Sequence, residues 1–304
     1  MTDVTLHLGN CVDYMKFMPD QSVDVILTDP PYGYLKHKLD KPFDEIVYFE
    51  EVDRILKDSG FYVSFGRGTA FYRWNTQLAS QGFIFKEEII WNKRMSSSPC
   101  LPIQRFHETV AIYAKRKGKI RESRVPYIEV RSENIGLIAR DVKEIKAALK
   151  SRTSFDQLDN FLAVYESTGV IKQEYGEQST NKHGITLGKS FRKTNKTVSL
   201  AKSIACGMKE RSIIDISSNH YNGEHPTQKP VRLMERLMFL VSDKDYVVLD
   251  PFMGSGSTGI ACVNQERNFI GCEILPEYYE IAQRRVTEAR KEKTLVGVKA
   301  GGDE

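Results

Sequence analysis

The chain has 304 residues, 40% of them hydrophobic and 28% charged, which is typical of a globular protein and leaves room for more than one domain. No apolar run approaches the ~18 residues of a membrane span, and the first residues lack a signal-peptide pattern, so we expect a cytoplasmic protein without membrane contacts. The five cysteines are scattered without a CxxC pair, which argues against a disulfide framework and against a zinc site.

The formal net charge of +4 is unevenly distributed along the chain. Residues 115–211 contain 21 lysines and arginines against 11 aspartates and glutamates, a local balance of +10 that leaves −6 for the rest. A basic middle segment in an otherwise acidic chain indicates a surface for a polyanion. On charge alone, a merely solvated surface explains the segment equally well.

The first part of the chain alternates strand and helix patterns. Apolar residues at helical spacing predict helices, and short apolar runs bounded by turn formers predict strands. The predicted elements are a strand at 23–29, a helix at 44–57, a strand at 61–66, a helix at 71–80, and strands at 85–93 and 108–115.

The alternation weakens from about residue 117 and resumes after residue 224. The weaker part predicts helices at 141–150 and 155–166 and a loop at 174–197. The later part predicts a helix at 231–241, a strand at 246–252, a helix at 258–264, a strand at 268–274 and a helix at 276–293. Together these patterns predict an α/β fold, a doubly wound and mostly parallel sheet interrupted by a second module.

The first predicted strand runs directly into Asp29, Pro30, Pro31 and Tyr32. Two consecutive prolines have no backbone N–H donors, so the strand must end there. One interpretation is that the motif only terminates the strand. A pocket for a flat substrate that carries an amine is the other.

A glycine-rich turn, DPFMGSGSTG, occupies residues 250–259 where a strand leads into a helix. Gly254 and Gly256 allow a sharp turn and a close approach to a ligand, and the helix that follows presents unpaired N–H groups. Glu273 ends the next strand, where a nucleotide-binding fold places a carboxylate for ribose hydroxyls. This context predicts a nucleoside cofactor.

The two motifs lie 221 positions apart, but Asp29 and Asp250 each end a strand. Ligands of open parallel sheets collect at the carboxyl ends of the strands. If the two strands are neighbours, both motifs face one crevice.

Several sequence blocks resemble one family, the beta-class amino DNA methyltransferases that use S-adenosylmethionine. DPPY resembles its catalytic motif and DPFMGSG its cofactor loop, in the beta-class order. The supporting blocks are LGNCVDYMKFMPDQSVDVILTDPPYG, EVDRILKDSGFYVSFG, IIWNK, RFHETVAIYAK, HPTQKPVRLMERLM and VVLDPFMGSGSTGIACVNQERNFIGCEILPEYYEIAQRR. The resemblance implies a circularly permuted, Rossmann-like class I methyltransferase. It divides the chain into a catalytic half at 1–116, a target-recognition insertion at 117–219, a cofactor half at 220–293 and a flexible tail at 294–304.

In this reading, the Asp29 carboxylate and the Pro30 carbonyl accept the two hydrogens of the target amine. Pro31 keeps these acceptors rigid, and the base stacks on Tyr32. The base must leave the DNA stack to reach them. The cofactor-binding residues that the resemblance implies are Asn10, Lys229, Asp250, Phe252, Gly254, Ser255, Gly256, Thr258 and Glu273.

Some of these assignments have structural alternatives. The family usually has Asp where this chain has Asn10, although an Asn carbonyl accepts the same hydrogen bond. Lys229 resembles a contact near the methionine carboxylate, but a lysine before a helix is often only solvated. Phe252 and Trp91 are also good core residues. His107 and Glu108, adjacent on a strand, point to opposite faces, which favours a structural role over metal binding.

The resemblance implies a site-specific enzyme for the N6 amine of adenine in double-stranded DNA, because Asp rather than Ser precedes Pro-Pro-Tyr. Transfer to N4 of cytosine is the alternative within the same chemistry. A DNA-binding regulator that has lost catalysis is the alternative from another class. The sequence leaves open the recognised site, dimerisation and a cognate restriction endonuclease.

Overall fold

The computed structural model describes residues 2–34, 40–96, 102–131, 134–150, 196–218 and 228–300, together with positions 156, 159 and 163. The chain forms two compact units, one made of Met1–Ser123 with Arg211–Glu304 and the other of Arg124–Glu210. No helix within the described ranges is long and apolar enough to cross a membrane.

Strands of the described residues are numbered here in chain order. They are β1 (Val4–Leu8), β2 (Val23–Thr28), β3 (Leu56–Gly66), β4 (Ile84–Asn92), β5 (His107–Ala114), β6 (Arg124–Val125), β7 (Met208–Lys209), β8 (Ile213–Asp215), β9 (Val247–Asp250) and β10 (Asn268–Glu273). In the described part of the first unit, eight of them form one sheet in the order β1-β10-β9-β2-β3-β5-β4-β8. The run from β1 to β3 is parallel, and β5 pairs antiparallel with both β3 and β4.

Helices are numbered in the same way. They are α1 (Cys11–Met15), α2 (Glu45–Ile55), α3 (Gly68–Ser80), α4 (Tyr127–Arg131), α5 (Ile135–Ala148), α6 (Lys196–Cys206), α7 (Val231–Val241), α8 (Ser257–Gln265) and α9 (Pro276–Ala300).

Helices cover both faces of the sheet because β2 is apolar on both sides. Val25 and Leu27 belong to one buried cluster, which includes Leu237 of α7. Ile26 belongs to a second buried cluster, which includes Phe49 of α2. Successive residues of a strand point to opposite faces, so a strand packed on both sides has apolar side chains on each face. The predicted doubly wound α/β fold is confirmed.

The two strands that lead into the sequence motifs, β2 and β9, are neighbours in the sheet, as the prediction of a shared crevice requires. Val25 pairs with Val248 and Ile26 with Leu249, so β2 and β9 are parallel neighbours in the sheet. The motifs that follow these strands therefore emerge at the same edge.

The boundary between α2 and β3 differs from the prediction. The sequence predicted a helix to 57 and a turn at 58–60, but α2 ends at Ile55 and β3 begins at Leu56. Leu56 is extended, with ψ of 133°, and pairs with Val23 before the register shifts. Residues 57–60 lie between the paired Leu56 and Phe61, opposite the single residue Asp24, so the turn formers Asp58, Ser59 and Gly60 form an irregularity within the strand instead of ending it.

The end of the chain also differs from the prediction. The sequence predicted a flexible tail at 294–304, whereas α9 continues to Ala300. The hydroxyl of Thr294 donates to the carbonyl of Arg290, and Lys293 donates to the carbonyl of Val263 in α8.

Within the second unit, β6 pairs antiparallel with β7, and the Tyr127 hydroxyl of α4 donates to Asp141 of α5. This unit, 124–210, lies inside the predicted insertion 117–219. β8 falls inside those predicted bounds too, but it pairs with β4 in the sheet of the first unit. Most of the predicted helix at 155–166 and of the predicted loop at 174–197 lies outside the described residues.

Candidate active site

Asp250 joins the two sequence motifs. The Thr28 hydroxyl, at the end of β2, donates to its carboxylate at 2.8 Å, and the Thr258 hydroxyl donates at 2.6 Å. The Phe252 amide donates to it as well, at 3.2 Å. Burial raises the pKa of Asp250 to about 6, although these hydrogen bonds oppose the shift. Asp250 thus connects the glycine turn to Thr28 at the end of β2, next to Asp29.

One cavity of about 1170 Å³ contains residues of both motifs. Asp29, Pro30, Pro31 and Tyr32 line it together with eight of the nine predicted cofactor residues, which are Asn10, Lys229, Asp250, Phe252, Gly254, Ser255, Thr258 and Glu273. Gly256, the ninth, is not among the residues that line the cavity. Ligand pockets commonly measure about 300–1,000 Å³. The cavity therefore has room for a nucleoside cofactor and a second flat ligand.

The glycine turn has the conformation that the sequence argument required. Gly254 has φ of 51° and Gly256 has φ of 80°, both in the left-handed region. A Cβ at Gly256 would lie 3.1 Å from the Cβ of Ala282 in α9. Gly256 thus permits both the turn and the close packing of α9. The Ser255 hydroxyl receives a hydrogen bond of 2.9 Å from Arg285.

Glu273 lies at the carboxyl end of β10, beside the glycine turn. Its two carboxylate oxygens accept the amides of Gly254 at 3.1 Å and Leu275 at 2.8 Å. Burial raises its pKa, and the amide hydrogen bonds oppose that shift. Each oxygen keeps a second lone pair. The role of Glu273 towards the ribose of a nucleoside cofactor stays a prediction.

Two other predicted cofactor residues have additional contacts. Asn10 caps α1, since its side-chain oxygen accepts the Val12 amide at 2.8 Å. The Phe252 ring packs against Phe43 and Tyr48, with centroid distances of 5.1 and 5.6 Å. Both side chains line the cavity, as their predicted roles require. Their contacts with the cofactor stay predictions.

Asp29 is held through both carboxylate oxygens. The Tyr32 hydroxyl donates to Oδ1 at 2.5 Å, and the Lys229 ammonium donates to Oδ2 at 2.5 Å. Burial and the neighbouring Asp29 raise the pKa of Tyr32, so its hydroxyl keeps its proton. The Tyr32 ring also packs against Trp74, with a centroid distance of 5.8 Å.

Lys229 lies at the catalytic motif rather than in a solvated position. Besides its bond to Asp29, its ammonium lies 3.0 Å from Oε2 of Glu108. Lys93 reaches the other oxygen of Glu108 at 3.1 Å. The sequence argument placed Lys229 beside the cofactor and gave Glu108 a structural role.

Glu108 is the site residue that sequence reasoning missed. Its strand position pairs with Trp91, two residues before Lys93. Lys93 follows β4 and Glu108 lies on the neighbouring strand β5. Once the pairing of these two strands is known, their opposite charges indicate an ion pair between them. Trp91 is buried and donates to the Ile216 carbonyl at 2.7 Å, so it is a core residue at the cavity wall.

Comparison with known proteins identifies the family. A family model described as DNA methylase, N6_N4_Mtase, matches residues 23–284. The chain belongs to this family. The methylase is 24% identical over 296 residues to the type II methyltransferase M2.MboI of Moraxella bovis, an alignment that covers 93% of this chain and 87% of that protein.

Two solved structures share the fold of this methylase. The M1.HpyAVI–SAM complex has a TM-score of 0.54 at 22% identity and covers 93% of this chain and 99% of that one. The PvuII DNA methyltransferase, described as cytosine-N4-specific, has a TM-score of 0.56 at 15% identity and covers 96% and 92%. The predicted family and the cofactor S-adenosylmethionine are confirmed. The family includes N6 and N4 enzymes, so membership is compatible with either adenine or cytosine as the target base.

Proposed function

We propose that this methylase is a site-specific DNA methyltransferase for the N6 amine of adenine in double-stranded DNA, acting in the cytoplasm. One observation carries the proposal: Asp29, at the end of β2, lies in the same cavity as the glycine turn that follows β9. Asp rather than Ser before Pro30 favours adenine, by the resemblance of this motif to the adenine enzymes. The proposed catalytic residues are Asp29, Pro30, Pro31 and Tyr32.

The exocyclic amine of adenine is a poor nucleophile because the ring delocalises its lone pair. An acceptor on each amine hydrogen localises that pair on the nitrogen. The Asp29 carboxylate and the Pro30 carbonyl supply the two acceptors, and the buried Pro30 ring fixes their spacing. When bound, S-adenosylmethionine would supply the methyl group as its C–S bond breaks and the N–C bond forms, and the nitrogen would release one proton to solvent water. No covalent bond to the protein is needed.

The target base must leave the duplex to enter the cavity, at a cost of a few kcal/mol. Contacts between cationic side chains and phosphates supply the binding energy of such complexes. The segment 115–211, with its local balance of +10, is the proposed source of these contacts and of target recognition.

A second candidate is transfer to N4 of cytosine. The fold similarity to the cytosine-N4-specific PvuII methyltransferase keeps it open, since the same acceptors suit either amine. The catalytically silent regulator is less supported, because Asp29, Tyr32 and the glycine turn are all in place. The name of the type II relative also suggests a role in a restriction–modification system, with a cognate endonuclease as partner.

Incubation with methyl-labelled cofactor and DNA, followed by digestion to nucleosides, tests the proposal. We expect the label in N6-methyldeoxyadenosine. Label found only in N4-methyldeoxycytidine, only in protein, or nowhere would defeat it. Asp29→Ala should abolish turnover and keep DNA binding, whereas Asp20→Asn, at an exposed ion pair with Arg54, should retain turnover.

A further inference from the structure

The Lys229 ammonium is buried between two carboxylates. Its side chain is 10% exposed, and it contacts Asp29 at 2.5 Å and Glu108 at 3.0 Å. Glu108 also contacts Lys93, whose side chain is 4% exposed. Two lysines and two carboxylates thus form one continuous chain of contacts in the wall of the cavity.

The charges of this chain balance each other. Burial alone would lower the pKa of Lys229, but Asp29 and Glu108 outweigh it and raise that pKa above its ordinary value. Burial alone would raise the pKa of Glu108, but Lys229 and Lys93 outweigh it and lower that pKa. Lys229 therefore stays a cation and Glu108 an anion at neutral pH.

Two aromatic rings restrict the position of the ammonium. Lys229 Nζ lies 4.9 Å from the ring centroid of Phe65 and 5.8 Å from that of Trp91. Both rings are buried, and a cation at this distance from an aromatic face is attracted to it. The lysine cannot swing away without losing these contacts and both carboxylates.

The fixed ammonium of Lys229 restricts the orientation of the Asp29 carboxylate. With Tyr32 on Oδ1 and Lys229 on Oδ2, the carboxylate has one defined orientation. Each oxygen still has a lone pair for an incoming amine hydrogen. Catalytic groups must be held close to their productive geometry, and a neighbouring residue usually holds them there.

We propose that Lys229 is a positioning residue for methyl transfer, which holds the Asp29 carboxylate in its orientation and is itself held by Glu108. This inference rests on Asp29 being the acceptor for the target amine. It replaces the contact with the cofactor's methionine carboxylate that the sequence suggested for Lys229.

Lys229→Met tests the proposal, because methionine keeps the length of the side chain and removes its charge. We expect kcat at saturating cofactor to fall about 100-fold, as for the loss of one preorganised electrostatic partner. The Kd for S-adenosylmethionine, measured by equilibrium dialysis, should stay within about twofold. A Kd weakened about tenfold or more, with kcat preserved, would assign Lys229 to the cofactor and overturn the proposal.

Glu108→Gln provides the second test. If Glu108 acts through Lys229, the variant should lose about tenfold in kcat, and the double variant with Lys229→Met should be no worse than Lys229→Met alone. Additive losses would mean that Glu108 acts independently and would reject this part of the proposal. If a single variant folds poorly, the double variant can still be measured. Removing both members of a buried ion pair is better tolerated than removing one of them.

A matched control variant and the choice of readout distinguish failure of the Lys229 proposal from failure of the adenine proposal. Lys57→Met removes a lysine that pairs with Asp24 at 2.8 Å outside the cavity lining, and should leave kcat unchanged. Transfer is counted as methyl on DNA, whichever base carries it. Failure of the adenine assignment is then seen in the nucleoside digest of the wild type, and failure of the Lys229 assignment only in the variants.

Discussion

The Thr28 hydroxyl donates a 2.8 Å hydrogen bond to the Asp250 carboxylate across 222 positions of sequence. Thr28 is the last residue before the catalytic motif, and Asp250 is the first residue of the glycine turn. Both are buried, so water cannot replace the bond when it is lost. Together with the ion pair between Lys229 and Asp29, this contact fixes the two halves of the candidate active site to each other.

Thr28→Val should destabilise the protein and weaken cofactor binding. Valine has nearly the same shape but no donor, so Asp250 loses one of its hydrogen bonds in a buried site, at a cost of about 1–3 kcal/mol. Urea unfolding and equilibrium dialysis with S-adenosylmethionine measure the two effects. Thr76→Val, at an exposed position of α3, is the control and should change stability by less than about 0.5 kcal/mol. Equal stability of the two variants would contradict the bridging role.

Asp250→Asn should change the pH dependence of stability. A carboxyl whose folded pKa is raised favours the folded state less as pH rises from the unfolded pKa, ordinarily about 3.9, to the folded pKa of about 6. The variant lacks this titration. Its unfolding free energy relative to wild type should therefore rise by about 2–3 kcal/mol across that window and then stay level. Urea titrations of both proteins from pH 4 to pH 8 would measure it, and a constant difference would refute the pKa shift.

Tyr32 should tolerate removal of its hydroxyl better than removal of its ring. Tyr32→Phe loses the hydrogen bond to Asp29 but keeps the packing on Trp74, so we expect kcat to fall about tenfold. Tyr32→Ala also loses the proposed stacking surface and should fall more than about 100-fold. Steady-state kinetics at saturating cofactor distinguish them. Equal losses in both variants would mean that the ring contributes nothing beyond its hydroxyl.

Gly256→Ala should weaken the cofactor site more than a similar change elsewhere. At φ of 80° any Cβ is strained by about 1–3 kcal/mol, and here the Cβ would also crowd Ala282. Gly82→Ala is a close control, since Gly82 has φ of 84° and open space around it. Both should lower the unfolding free energy, but only Gly256→Ala should raise the Kd for S-adenosylmethionine. An unchanged Kd for S-adenosylmethionine in Gly256→Ala would mean that the glycine turn does not contribute to cofactor binding.

Local sequence predicted the elements that carry the chemistry. β2 was predictable because an apolar run meets two prolines, and the turn after β9 because two glycines separate a strand from a helix. β1 and β8 were missed. β1 alternates apolar Val4, Leu6 and Leu8 with polar residues, a strand pattern that the sequence did offer, whereas β8 has only three residues and is defined by the strand beside it.

The charge cluster at Asp29 could not be predicted in the same way. Asp29, Lys93, Glu108 and Lys229 come from four separate segments, and each residue alone is compatible with a solvated surface. Only the order of strands brings them together. Burial then makes their mutual pairing obligatory, which is a property of the folded sheet rather than of any one segment.

The strand order also bears on how the protein is made. β1 pairs with β10, where Val4 lies beside Phe269, and the inner edge of β2 pairs with β9. While the ribosome is still synthesising the middle of the chain, β1 lacks its partner β10 and β2 is paired only with β3, so both present an unpaired backbone edge. A nascent or prematurely released chain that lacks the last strands therefore cannot assemble the methyl-transfer site, and its bare strands are targets for chaperones and proteases.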